Sequence, residues 1–164
     1  MVSAETSIGS YPAEAVKVMS RIARQTEEAL PYERMVHERG SELARQTDDA
    51  IAYAACHTAH QLGARAILAF TESGSTALRV SKYRPKVPIL AITPSDEVRR
   101  RLALAWGVYS HQISPPSHVE DLFIAGSALA KRLGVAKQGD LVVITGGVPI
   151  GVKGTTNLLK VERV

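Results

Sequence analysis

Short apolar runs at Ala66 to Phe70, Val87 to Ile92, Val108 to Ile113 and Leu141 to Thr145 alternate with longer stretches whose apolar residues recur at helical spacing. This alternation constrains the fold more than any other feature. Runs of that length bounded by turn signals suit strands, with Ala66 to Phe70 buried and Leu141 to Thr145 β-branched. Strands alternating with helices imply an open, largely parallel sheet with helices on both faces. A last strand is expected over Asn157 to Val161, which makes the sheet five-stranded. In such sheets ligands bind beyond the carboxyl ends of the strands, where Thr71 and Thr145 stand.

The intervening helices carry their own boundary signals. Pro12 and Pro31 bracket a helix from Tyr11 to Leu30 with Ala15, Val16, Met19, Ile22 and Ala23 on one face. Residues 32–46 form a polar, charged link of little periodicity and are the expected domain boundary. Thr47 is expected to cap a helix whose inner face is Ile51, Ala54, Ala55, Thr58 and Leu62, ended by Gly63. A short helix is expected from Thr76 to Tyr83. Thr93, Pro94 and Asp96 have the form of a capping box for a helix ending at Gly107, and Ser117 with Glu120 has it for one carrying Val119, Leu122, Phe123, Gly126, Leu129 and Leu133.

Composition narrows the function classes. With 164 residues, 45% of them hydrophobic, the chain can bury a substantial core. No apolar stretch approaches the roughly 20 residues that span a bilayer, so a soluble, cytoplasmic protein with no membrane partner is expected. The net charge is +4, but basic and acidic residues interleave and aromatic content is 5%, so small anionic ligands account for the excess and no nucleic-acid partner is expected. Arg99, Arg100 and Arg101 are read mainly as a solvated face. The single cysteine, Cys56, falls on the expected buried side of a helix and suits a small core residue better than a nucleophile. His57 and His60 beside it lack further ligands in the sequence, so no metal site is expected there. Trp106 reads as a packing residue more than a stacking platform.

Two segments carry candidate chemistry. Thr71-Glu72-Ser73-Gly74-Ser75-Thr76 follows a strand and opens a helix, which places hydroxyls, a glycine and backbone N–H groups at the positive end of a helix dipole. Such a turn can seat a phosphate through Thr71, Ser73, Gly74, Ser75 and Thr76. It can equally be an ordinary strand-to-helix turn in which Ser73 or Ser75 is only the N-cap. The second segment, Gly146 to Asn157, holds four glycines together with Lys153, Thr155 and Thr156. Gly147, Gly151, Lys153, Gly154 and Thr155 could close over an anion as a flap, and a long hairpin connection is the plainer alternative.

Together these residues resemble the pyruvate kinase family. Ser3-Ala4-Glu5-Thr6, Gly9 and Tyr11-Pro12-Ala13-Glu14-Ala15-Val16 are similar to the end of that family's catalytic barrel. Thr71-Glu72-Ser73-Gly74, Tyr83-Arg84-Pro85-Lys86-Val87-Pro88-Ile89, Gly139-Asp140 and Gly146 to Asn157 resemble its C-terminal domain in the same order. The resemblance implies three parts: residues 1–31 as a remnant of the last barrel strand and helix, 32–46 as a linker, and 47–164 as a regulatory α/β domain. It also implies an enzyme that transfers phosphate from phosphoenolpyruvate to ADP with Mg²⁺ and K⁺, works as a homotetramer, and answers to a phosphorylated effector. Ser3, Glu5 and Thr6 would match the active-site end of the last barrel strand. The catalytic lysine and the ligands of both metals have no counterpart, so the chain alone is expected to be inactive, with no cofactor of its own.

The same resemblance makes the Thr71 to Thr76 turn an effector-phosphate seat and the Gly146 to Asn157 loop its flap. Members activated by fructose 1,6-bisphosphate often carry a tryptophan and an arginine near the start of the helix that here follows His118. This chain has Ser117, His118, Val119 and Leu122 instead, which favours a monophosphate such as AMP or ribose 5-phosphate. Glu72 is expected to point away from the anion. A stand-alone small enzyme of this fold and a purely structural oligomerisation domain are the alternatives, although no acid, base or nucleophile cluster converges in the sequence.

Overall fold

In a computed structural model, residues 2–41, 46–114, 118–152 and 154–164 are described, and they fall into two compact units, residues 1–31 and 32–164. The first unit holds α1 (Ala4–Ser7) and α2 (Pro12–Glu28). Pro12 opens α2 at a position that needs no backbone donor. Its apolar positions do recur at helical spacing, yet Val16, Met19 and Ile22 are exposed.

The second unit begins with α3 (Tyr32–Ser41), a helix where the sequence suggested a link. Its buried Val36 joins the core of this unit. One fully buried apolar side chain among charged residues leaves too weak a period to read in advance. There follow α4 (Thr47–Gln61), β1 (Ile67–Phe70), α5 (Ser75–Lys82), β2 (Ile89–Thr93), α6 (Asp96–Leu102), β3 (Val108–Gln112), α7 (Val119–Arg132), β4 (Leu141–Gly147) and β5 (Thr156–Arg163). The five strands form one sheet in the order β3-β2-β1-β4-β5. All pairs are parallel except β4 with β5.

The strands alternate between two cores, as a period of two requires. Ile67, Ala69, Ile89, Ala91 and Val143 face α4, α5 and α6, whereas Leu68, Phe70, Leu90, Ile92, Val142 and Ile144 share a core with Leu122 and Leu129 of α7. Each large side chain removed from water in this way contributes about 1.5–3 kcal/mol.

Several helix details differ from the sequence reading. The buried face of α4 is Asp49, Ala52, Ala55, Cys56 and Ala59, while Leu62 is 48% exposed. α4 packs against α3, α5 and the sheet at once, and a stripe of small residues lets those neighbours approach closely. Cys56 is buried and its thiol is pushed up by desolvation. Gln46, not Thr47, occupies the N-cap of α4. The cap of α6 is Ser95, whose hydroxyl accepts from the Val98 amide at 3.3 Å, because Thr93 is already committed to β2. That helix stops at Leu102, short of Gly107. Ser117 lies outside the described residues; the His118 amide donates to Asp121 at 3.2 Å, so Asp121 serves in place of Glu120.

Edge strand β3 carries a titratable group with a testable consequence. Burial first, then Arg132 and Arg99, hold the His111 imidazole below its ordinary value of 6.5. The folded state therefore binds fewer protons than the unfolded chain just below that pH, and stability falls as the pH drops through this window. His111→Gln is expected to flatten that limb of the Tm against pH curve; an unchanged limb would assign the acid sensitivity elsewhere.

Candidate functional site

The chain order puts a crevice between β1 and β4. After β1 it winds outward through β2 and β3, then α7 returns it to β4 on the other side of β1. Connections leaving β1 and β4 therefore diverge at their carboxyl ends, the switch point at which open α/β sheets bind ligands. The Thr71 to Thr76 turn leaves β1 there. The loop after Gly147 leaves β4 beside it.

Both segments line one cavity of about 50 Å³. From the first come Thr71, Glu72, Ser73, Ser75 and Thr76; from the second come Gly147, Ile150, Gly151, Val152, Gly154 and Thr155. Lys153 lies outside the described residues. Phe70, Ile92, Pro94, Ile113 and Leu122 make the remaining, apolar wall. The volume matches about four waters, room for a phosphate-sized group, so the rest of a larger ligand must extend through the mouth or lift the loop.

Each polar residue of the turn has a defined task. The Thr71 hydroxyl accepts from the Gly74 amide at 2.8 Å, which takes that N–H out of the set available to an anion. Gly74 lines none of the cavity: with φ of +88° it is the N-cap of α5, and a Cβ there would meet Leu102, Arg101 and Val98 behind the turn. The first intrahelical bond of α5 runs from the Leu78 amide to the Gly74 carbonyl, so the Ser75, Thr76 and Ala77 amides have no acceptor within the helix. Ser73 and Ser75, half-buried, share a hydrogen bond of 3.1 Å. The Thr76 and Thr156 hydroxyls meet at 2.7 Å, tying the first turn of α5 to the start of β5.

The charge at the cavity is sparse. Among the described lining residues Glu72 is the one charged side chain, although the sequence had turned it away. Anion affinity would come from amides, hydroxyls and the helix end. Arg101 was read as part of a solvated face. Arg99 and Arg100 do pair with Asp96, whose carboxyl the Arg99 guanidinium holds below its usual value, but Arg101 donates to the Ser73 carbonyl. Nothing in the local sequence joins residues 73 and 101; only the packing of α6 behind the turn does.

The other sequence candidates fall elsewhere. Ser3, Glu5 and Thr6 lie around the single turn α1, where the Ser3 amide donates to Glu5 and the Thr6 hydroxyl to the Ser3 carbonyl, both at 3.0 Å. The Ser3 amide, then that of Glu5, lowers the Glu5 carboxyl. Trp106 packs against the Tyr32 ring at 6.4 Å and under the Arg84 guanidinium at 5.5 Å. His57 stacks on Tyr53, and His60 stands 3.5 Å from Glu33. Among the described residues no group of three or more His, Cys, Asp or Glu is placed to hold a metal ion, and no helix is long and apolar enough to cross a membrane.

Residues 49–162 match the family described as pyruvate kinase, alpha/beta domain. Over its full 164 residues the chain is 46% identical to a pyruvate kinase of Geobacillus stearothermophilus and 43% identical to one of Clostridium acetobutylicum. It spans 28% and 35% of those two proteins. A solved pyruvate kinase of Cryptosporidium parvum superposes with a TM-score of 0.87 at 36% identity, over 99% of this chain and 32% of that one. The Cryptosporidium parvum enzyme in complex with ADP superposes with a TM-score of 0.81 at 36% identity, over 99% of this chain and 33% of that one. With the family matched over most of the chain and the five-stranded sheet shared with solved members, the chain belongs to the pyruvate kinase family and carries its α/β domain.

Proposed function

We propose that this chain is the effector-binding, regulatory part of a pyruvate kinase, and that its cavity takes the phosphate of a small monophosphate. The observation that carries this reading is the meeting of the Thr71 to Thr76 turn and the 147–155 loop on one cavity at the switch point. Phosphoryl transfer from phosphoenolpyruvate to ADP belongs to the whole enzyme, in the cytoplasm, with Mg²⁺ and K⁺ held by residues other than those described here. Residues 1–31 would contribute the end of a catalytic barrel, as the helices α1 and α2 in place of the strand and helix expected there, with the exposed Val16, Met19 and Ile22 as the stripe that the barrel covers. Effector binding would favour one arrangement of a homotetramer over another, by its differential affinity for the two.

The lining argues for a monophosphate. Fructose 1,6-bisphosphate would need a second set of donors, and Leu122 stands, 4% exposed, in the apolar wall opposite the seat. Calorimetric titration of the chain with AMP, ribose 5-phosphate and fructose 1,6-bisphosphate tests both parts of the reading. Saturable binding is expected for the monophosphates, weakened at least about tenfold by Ser73→Ala with Ser75→Ala. Thr76 is left intact in that variant because its hydroxyl also holds Thr156. Failure of all three ligands to bind would overturn the effector reading in favour of a structural domain. Tighter binding of fructose 1,6-bisphosphate than of either monophosphate would overturn the preference.

A further inference from the structure

The ladder between β4 and β5 is regular from Leu141↔Arg163 to Gly146↔Leu158, then shifts so that Gly147 pairs with Thr156. Asn157 is the extra residue of this bulge. A bulge re-aims a side chain away from the pleat, and here it turns the Asn157 carboxamide onto the backbone of Val148. The Val148 amide donates to Asn157 Oδ1 at 2.8 Å, and Asn157 Nδ2 donates to the Val148 carbonyl at 2.7 Å. The side chain thereby imitates one more backbone pair of the ladder. Only a carboxamide offers a donor and an acceptor at that spacing.

This pair closes the neck of the loop that lines the cavity. Next to it, Thr156 ties the same neck to Thr76 of α5 at 2.7 Å. The loop is thus joined foot to foot and fastened to the seat by contacts within the protein itself. Both bonds of Asn157 lie in exposed surroundings, where a hydrogen bond to water replaces each at small cost, so the clasp can open.

We infer that Asn157 is a positioning residue: it holds the described residues of the loop between β4 and β5 over the Thr71 to Thr76 seat before ligand arrives, and so sets the affinity of the site for phosphate. The consequence for affinity rests on the effector-site reading; the ordering of the loop does not. Pre-organising a loop in its bound arrangement removes an ordering cost that binding would otherwise bear.

The test uses the 164-residue chain, amide hydrogen exchange without ligand, and calorimetric titration with orthophosphate and with AMP. Asn157→Ala is expected to speed exchange of the Gly151, Val152 and Gly154 amides by about tenfold while Val143 and Ile144 of β4 keep their rates. It is expected to weaken both probes by about tenfold, with the loss of two modest bonds as its source. Asn157→Asp keeps the acceptor for the Val148 amide but sets an oxygen against the Val148 carbonyl, so its loop exchange should fall between wild type and Asn157→Ala. Unchanged loop exchange in Asn157→Ala overturns the inference. Faster exchange with undiminished binding overturns the positioning role and leaves the effector site standing. Faster exchange in a protein whose wild type binds neither probe overturns the effector reading and supports the clasp alone.

Discussion

Gly147→Ala is expected to abolish the phosphate binding proposed for the cavity while leaving the sheet folded. A Cβ at this position would lie 2.3 Å from the Thr155 carbonyl oxygen and 2.7 Å from the Thr155 hydroxyl. A rotamer change could move the hydroxyl, but the backbone oxygen can retreat only if the neck of the loop opens. Orthophosphate affinity should fall by about two orders of magnitude, the equivalent of losing two hydrogen bonds to a charged group. Stability should fall by about 2 kcal/mol, as for other overpacked sites. Gly146→Ala is the comparison: its Cβ would meet the Phe70 Cβ at 3.2 Å, a side-chain contact that a small shift relieves. Calorimetry and thermal unfolding of both variants check this, and wild-type binding by Gly147→Ala would show that the neck yields without disturbing the seat.

The second large effect concerns the far end of α5. Lys82 Nζ stands 3.0 Å from Asp49 Oδ2, and the Asp49 side chain is 7% exposed. One turn away, Arg79 pairs with Asp48 at 2.5 Å. Together these pairs tie the helix that begins at the seat to α4. Lys82→Met removes the cation and leaves a carboxylate in a place poor in water, which should cost about 3 kcal/mol and lower Tm by roughly 10 °C. Adding Asp49→Asn removes the buried charge and should restore most of that loss. If the double variant were no more stable than Lys82→Met, the cost would lie in packing of the lysine stem and not in charge.

Much of the fold was legible because the inner strands β1, β2 and β4 are buried on both faces and so read as continuous apolar runs, as from Ala66 to Phe70 and from Leu141 to Thr145. α3 was not, since one buried residue, Val36, cannot impose a visible period on a charged segment. The face of α4 was misplaced for a related reason. Sequence favours the larger Ile51 and Leu62 as core, whereas α4 packs through Ala52, Ala55, Cys56 and Ala59 because its neighbours come close. Thr93 looked like a helix cap because it precedes a proline, and β2 claimed it first.

The candidate site divides the same way. Hydroxyls and glycines of the Thr71 to Thr76 turn and of the 147–155 loop announced themselves by type and spacing, because an anion site built from backbone needs such residues. Arg101, Ile113 and Ile150 gave no such signal, since an arginine or an aliphatic side chain has the same local appearance on any surface or core position.

Taken alone, the amino-acid sequence determined the alternation of strand and helix, the two-sided burial of the inner strands and the kinship with pyruvate kinases. These follow from the period and chemistry of neighbouring residues. The tertiary structure alone decided which residues of the turn and the loop line the cavity, that Gly74 faces away from it, that Thr76 reaches Thr156, and that Asn157 closes on Val148. Those facts depend on the return of the chain from β3 through α7 to β4, and on a one-residue shift in the β4–β5 register, which reverses where a side chain points without changing its local sequence.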